Sequence, residues 1–300
     1  MPRLKKLALF SLVATAIFSV WVIEQVWMLY STKFVTIDAH LKEISGIEFD
    51  KNQRLWAIND GGDLAQLHQI NKDGSIARSI HISNAKNLDW EDMTQDDFGH
   101  FFIGDFGNNS NNRDWLTIYK IENPIDIKTT TTTAEIIKFT NPEATRSTTV
   151  EHQHYDLEAF VYYQNSLYLF SKNRSKPFDG KTRLYRIGDH AANFQAQYVS
   201  EFTTCTSMKH LCWITSAALS PDRSKLILLD SQRLWLFENW QGDDFFSGNA
   251  YQINLGIVTQ KEAVTFYDDN TIIFTDEEFK GIGRNAYVLK LDDVKKKRVK

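Results

Sequence analysis

Short apolar runs separated by turn residues fill this chain from residue 34 onward, and their period is that of β-strands. Leu116-Thr117-Ile118-Tyr119-Lys120-Ile121 alternates apolar and polar positions, as a half-buried strand does. Leu226-Ile227-Leu228-Leu229 is continuously apolar, as a fully buried strand is. The runs recur in a fixed order. Each of five units opens on a strand with Ser or Glu in one slot: Ile44-Ser45-Gly46-Ile47, Trp90-Glu91-Asp92-Met93, Leu157-Glu158-Ala159-Phe160, Thr215-Ser216-Ala217-Ala218 and Lys261-Glu262-Ala263-Val264. A turn then leads to a second strand: Leu55 to Ile58, Phe101 to Asp105, Leu167 to Phe170, Leu226 to Leu229 and Thr271 to Phe274. Third strands follow, and four fourth strands: Ser79 to Ile82, Ile136 to Thr140, Tyr198 to Phe202 and Tyr251 to Leu255.

The fifth unit has no fourth strand after it, whereas Phe34-Val35-Thr36-Ile37 stands unassigned before the first. That strand completes the last sheet and closes a ring without open edges. Slot residues are 46, 67, 58 and 46 residues apart, the length of propeller blades carrying insertions. The pattern predicts an all-β, five-bladed β-propeller over residues 31–294. Six blades are the alternative, if the long segment Asp126 to His154 holds a degenerate one.

The first thirty residues read differently. Leu7 to Ile23 is 17 residues without a charge, preceded by Arg3, Lys5 and Lys6, and apolar sequence resumes to Tyr30. A helix over that stretch would reach ~36 Å, enough to cross a bilayer. Residues 1–30 are therefore expected to form one transmembrane helix, an uncleaved anchor, with a cleaved signal peptide as the rival. Positive residues before the span orient the propeller to the periplasmic side of a cell inner membrane. Residues 295–300 form a basic tail. Setting aside the eight basic residues at the two ends, 26 basic residues face 38 acidic ones, a body charge of about −12. Such a body is a poor partner for nucleic acid and a good one for a cation. In an exported body, Cys205 and Cys212 can form a disulfide; the rival is a free, buried pair.

Charge gives the slot its meaning. First strands of a propeller line the central channel, so Ser45, Glu91, Glu158, Ser216 and Glu262 converge near the axis. Three carboxylates there repel one another unless a cation sits among them. Oxygen-only ligands select a hard ion, Ca²⁺ before Mg²⁺. Fourteen residues past the slots lie Asn59, Asp105, Lys172, Asp230 and Asp276, a second ring at one mouth of the channel. Asp60, Glu277 and Arg174 adjoin it, with Arg113 from a loop.

The Ser-Glu-Glu-Ser-Glu order resembles the calcium-activated nucleotidases (apyrases), five-bladed propellers with a central Ca²⁺ held by that set of side chains. Ile44-Ser45-Gly46-Ile47 with Leu55-Trp56-Ala57-Ile58-Asn59-Asp60 is similar to their first blade, Leu169-Phe170-Ser171-Lys172-Asn173-Arg174 to their basic strand end, and Gln260-Lys261-Glu262-Ala263-Val264 to their last acidic motif. Asp89-Trp90-Glu91-Asp92 and Gly104-Asp105-Phe106-Gly107-Asn108-Asn109 resemble exported bacterial phytase-like propellers. Both resemblances imply an exported calcium propeller; only the first implies nucleotide hydrolysis. On that expectation Ca²⁺ assists hydrolysis of a nucleotide or phosphoester. Asp60 or Asp105 handles the water, and Lys172 and Arg174 neutralise a small anionic substrate. Two readings stand beside it. In one, the metal is a structural pin in a non-catalytic module that binds an envelope, sugar or peptide partner. In the other, the protein is a calcium-dependent esterase or lactonase.

Overall fold

In the computed structural model, which describes residues 33–144, 153–256 and 258–300, the chain starts with an edge strand, β1 (Lys33–Thr36). It then lays down sheet after sheet. Blade 1 takes β2 (Ile44–Phe49), β3 (Leu55–Asn59), β4 (Gln66–Ile70) and β5 (Ile76–Ile82). Blade 2 takes β6 (Trp90–Gln95), β7 (Phe101–Asp105) and β8 (Leu116–Ile121); after a short β9 (Thr131–Thr132) it ends with β10 (Glu135–Thr140). Blade 3 has β11 (Asp156–Tyr163), β12 (Ser166–Lys172) and β13 (Lys181–Gly188), then a short β14 (Asn193–Gln195) and β15 (Gln197–Thr203). Blade 4 has β16 (Ser216–Leu219), β17 (Lys225–Leu229), β18 (Arg233–Glu238) and β19 (Asn249–Asn254). Blade 5 has β20 (Lys261–Phe266), β21 (Thr271–Asp276) and β22 (Asn285–Lys290), and β1 pairs antiparallel with β22 as its outer strand. Among the described residues there are five sheets, so the six-bladed alternative fails.

The ring is closed by packing as well as by pairing. The first strands touch in a circle: β2 on β6, β6 on β11, β11 on β16, β16 on β20 and β20 on β2. Each blade-to-blade interface has its own apolar cluster. Trp56, Trp90 and Phe101 fill the first, Phe106, Phe139 and Phe160 the second, and Phe170, Phe237 and Phe245 the third. Leu234, Phe266 and Phe274 fill the fourth, and Ile37, Ile47 and Ala263 the fifth. The described residues of the long segment 126–154 form no extra blade. They supply β10, and β9 leaves its own blade to pair in parallel with β5 of blade 1. In the same way β14 pairs with β10 of blade 2. The basic tail contributes β23 (Lys297–Arg298), which pairs with β19 of blade 4. These short strands cover edges that would otherwise be open to another chain.

Two local features set up the site. In four blades the slot residue is a β-bulge. Ile44 faces Asn59 and Gly46 faces Ile58, so Ser45 is skipped, and Glu91, Glu158 and Glu262 are skipped in the same way. A bulge re-aims the extra side chain and sharpens the local twist. Blade 4 keeps regular pairing, with Ser216 opposite Leu229. The second feature is Asp92, fully buried inside the ring. It accepts from Met93 N–H (2.9 Å), Phe160 N–H (3.2 Å), Ala217 N–H (3.2 Å) and the Ser216 hydroxyl (3.1 Å), which itself accepts from Val264 N–H (3.0 Å). This network joins blades 2 to 5 across the channel.

Cys205 and Cys212 are disulfide-bonded, with Cα atoms 5.5 Å apart. The membrane expectation is corrected. Among the described residues no helix is long and apolar enough to cross a membrane, and each described helix is a three-residue 3₁₀ turn. The transmembrane helix expected over residues 1–30 falls outside the described residues. The membrane anchor, the inner-membrane and periplasmic placement, and the membrane partner are therefore withdrawn.

Candidate metal centre

At the channel mouth where the first strands begin, three carboxylates meet. Asp60 follows β3, Asp89 precedes β6, and Glu91 is the bulge of β6; their ligand oxygens all lie within 4.8 Å of one another. Backbone hydrogen bonds fix the loops that carry them. Asn87 donates its side-chain amide to the carbonyls of Asn59 (3.0 Å) and Asp60 (2.8 Å), tying blade 2 to blade 1. Asp60 N–H donates to Glu43 C=O (2.8 Å), and Asp89 N–H to Asp105 Oδ1 (3.0 Å). Gly107 packs its backbone against the acids. A Cβ there would lie 2.1 Å from Glu91 Oε1 and 2.4 Å from Asp89 Oδ2, so a side chain at this position would push the two carboxylates out of place. Arg113 holds this loop in place, donating to Gly107 C=O (2.8 Å) and Asp105 C=O (2.9 Å) and pairing with Asp105 Oδ1 (3.0 Å).

The electrostatics are those of crowded, buried acids. Burial, then the neighbouring Asp60 and Asp156, push Asp89 up to about 6. Burial and Glu158 drive Glu91 well above the usual carboxylate range, and burial raises Asp60 as well. Glu277 rises to about 7 through burial and the charges of Asp60 and Glu43. Burial carries Glu158 to about 7 despite the opposing charge of Lys172. Acids held this high are short of positive charge. The fit to a cation has a second sign: Ser45, the bulge residue of blade 1, is 5% exposed, and its hydroxyl has no hydrogen-bond partner among the described residues. The donor set of carboxylates and a hydroxyl is that of a hard cation.

The expected site residues separate into groups. Glu91 joins the acidic cluster, and Ser45 is its orphaned neighbour in the slot. Ser216 is spent on Asp92. Glu158 receives the Lys172 ammonium at 2.7 Å, and Glu262 lies partly exposed across the mouth. Of the residues expected to be catalytic, Asp60 belongs to the cluster, whereas Asp105 is 1% exposed and clamped by Arg113. Arg174 pairs with Asp156 at 2.6 Å and lies 3.8 Å from Glu158. Burial works against the Lys172 charge, but Glu158, Glu262, Glu91 and Asp156 more than offset it and hold its ammonium above the usual range. Lys172 and Arg174 are thus internal counter-ions, and the small anionic substrate they were expected to meet loses its partners.

The second ring divides likewise. Asp230 accepts from Gln232 N–H (2.8 Å), Arg233 N–H (2.7 Å) and the Trp235 indole (3.0 Å); Asp276 accepts from Asn285 N–H (2.8 Å) and Tyr287 O–H (2.8 Å). Both pin hairpins. Sequence reasoning missed Asp89 and Asp156 as site residues. The signal was an acid two positions before the slot: Glu43, Asp89 and Asp156 stand so relative to Ser45, Glu91 and Glu158.

No protein-family model matches this chain, and no curated protein matches it. Solved propellers do. Virginiamycin B lyase from Staphylococcus aureus is 14% identical over 83% of this chain and 66% of its own, with a TM-score of 0.41. The PQQ-bound aldose sugar dehydrogenase of Streptomyces coelicolor is 10% identical over 86% of this chain and 96% of its own, with a TM-score of 0.46. A putative gluconolactonase is 12% identical over 86% and 76%, with a TM-score of 0.44. This chain spans 66% and 64% of the length of the two virginiamycin B lyase structures it is similar to. These are likenesses of fold, and a propeller hosts many activities.

Proposed function

We propose that this propeller binds a calcium ion at its axial mouth through Asp60, Asp89 and Glu91. The observation that carries this is their convergence: three carboxylate ligand atoms within 4.8 Å of one another, with Glu91 and Asp89 lying against the backbone of Gly107 where a Cβ would displace them. Ca²⁺ takes six to eight oxygen ligands in flexible geometry, which suits carboxylates gathered at a partly open mouth better than the strict octahedron of Mg²⁺ does. Waters complete the shell on the solvent side, because Asp60 and Asp89 are only partly buried. The resemblance to calcium-activated nucleotidases agrees on the ion. The ion relieves the repulsion that raises Asp89 and Glu91, and it cross-links the β3 end of blade 1 to the start of blade 2. Ser45, Glu158 and Glu262 line the approach, with Glu158 balanced by Lys172.

Isothermal titration of the metal-free protein tests this. One Ca²⁺ is expected to bind per chain, and Asp89→Asn and Glu91→Gln are each expected to weaken it more than tenfold. Undetectable binding at millimolar Ca²⁺, or equal affinity in wild type and both variants, would remove the proposal.

A further inference from the structure

The seam between blades 5 and 1 is filled differently from the other four. Every other blade-to-blade cluster buries aromatic rings, whereas the buried members of this one are all aliphatic, Ile37, Ile70, Ala263 and Ile273 among them. A groove of about 620 Å³ runs along the seam. That volume suits a small organic ligand. Val35 of the closing strand, Ile70, Ile273 and Val288 supply its apolar lining. Phe34, 54% exposed, and Tyr267, 40% exposed, line it as well and stay open to solvent. The Tyr267 ring is held in place. It meets Phe49 edge-on at 5.3 Å, and its hydroxyl donates to Gln53 Oε1 (2.8 Å). Large apolar side chains left open beside a formed groove mark a binding surface.

Charge gives the groove its preference. The body of the chain is acidic, yet no carboxylate lines this groove among the described residues, whereas Arg54 and Lys72 both do. Arg54 is only partly paired. Its Nε donates to Asp50 Oδ2 (2.8 Å), but its Nη2 is buried with no hydrogen-bond partner among the described residues. Asp50 is fully used, since it also accepts from Asn52 N–H (2.8 Å), Arg54 N–H (3.1 Å) and the Trp56 indole (3.0 Å). Lys72 is exposed, and its ammonium has no ion pair among the described residues. A guanidinium N–H without an acceptor, beside an unpaired ammonium, calls for a carboxylate.

We infer that this groove binds a small amphiphilic carboxylate, with the carboxylate on Lys72 and Arg54 and an apolar body along the seam against Val35, Ile273 and Tyr267. Such a ligand bridges the two blades at the place where the ring closes. The inference stands apart from the calcium proposal, since the turns carrying Arg54 and Lys72 lie at the strand ends away from Asp60, Asp89 and Glu91. It is tested on the full chain in chelator at pH 8, by calorimetric titration of 4-phenylbutanoate and its neutral near-isostere 4-phenylbutanamide. The carboxylate is expected to bind at least tenfold more tightly than the amide and to raise the melting temperature. Lys72→Glu should abolish the preference, while Phe34→Ser should weaken both compounds alike, each variant keeping the wild-type melting temperature to within a few degrees. Methyl resonances of Ile70, Ile273 and Val288 should shift on titration. Equal binding of carboxylate and amide, no saturable binding at millimolar ligand, a preference unchanged in Lys72→Glu, or methyl shifts confined to other residues would overturn it. So would a dimer in sedimentation that Phe34→Ser disperses, which would assign the groove to a second copy of the chain. Loss of calcium binding alone would leave it standing.

Discussion

Gly107 and Lys172 carry the site from opposite sides. Gly107 gives two carboxylates room to approach, and an added methyl would sit 2.1 Å from Glu91 Oε1. Gly107→Ala is therefore expected to cut calcium affinity more than tenfold, measured by titration, while circular dichroism shows the β-fold retained. Lys172 supplies positive charge to Glu158, which is 2% exposed. Removing one partner of a buried pair costs about 3–5 kcal/mol. Lys172→Met is expected to lose an amount of that order in urea unfolding at pH 8. It should lose less at pH 5.5, because Glu158, already held at about 7, can then take up a proton instead. An equal loss at both pH values would show that Lys172 acts through its hydrocarbon stem and not its charge.

At the scale of strands, the chain is legible where patterning is local. The alternation in Leu116 to Ile121 and the apolar run Leu226 to Leu229 specify β8 and β17, and Phe34 to Ile37 is recognisable as the closing strand. The slot is legible as five repeated words, but its bulge is not: pairing of Ile44 with Asn59 and Gly46 with Ile58 is a matter of register, which sequence spacing only hints at. Parallel pairing of β9 with β5, and of β14 with β10, is a contact between neighbouring blades, and two- or three-residue strands carry no periodic signal. Asp92 was hidden for a related reason. It follows the slot and reads as one more acid, yet it receives four donors from three blades inside the ring. Asp92→Ala leaves those donors without an acceptor, at about 1–3 kcal/mol for each buried group. Urea unfolding should show a loss above ~3 kcal/mol, larger than for Asp92→Asn, which keeps one oxygen. A loss no larger than that of Asp92→Asn would mean that the network contributes little.

Across the whole molecule the acidic mouth couples stability to pH and to cation. Asp89, Glu158 and Glu277 have folded-state values of about 6, 7 and 7. Each is raised above its unfolded value, so the folded protein holds more protons than the unfolded chain between about pH 4 and pH 7. Stability falls as pH rises through a range where the native state binds more protons. In chelator the melting temperature is therefore expected to decline from pH 5 to pH 8, and saturating Ca²⁺ should restore most of the loss at pH 8. It should do little at pH 5, where protons occupy the same oxygens. A melting temperature that climbs with pH in chelator would contradict the assignment of these acids. The excess of acids over bases in the body was readable from composition. Its concentration at one mouth, with Lys172 and Arg174 already spent, was not.

The position of the ion is the central claim, and diffraction tests it most directly. Crystals grown at pH 8 with Tb³⁺ in place of Ca²⁺, measured near the terbium absorption edge, should give one strong anomalous peak bounded by Asp60, Asp89 and Glu91. A peak at any other position, or none at saturating ion, would contradict the account.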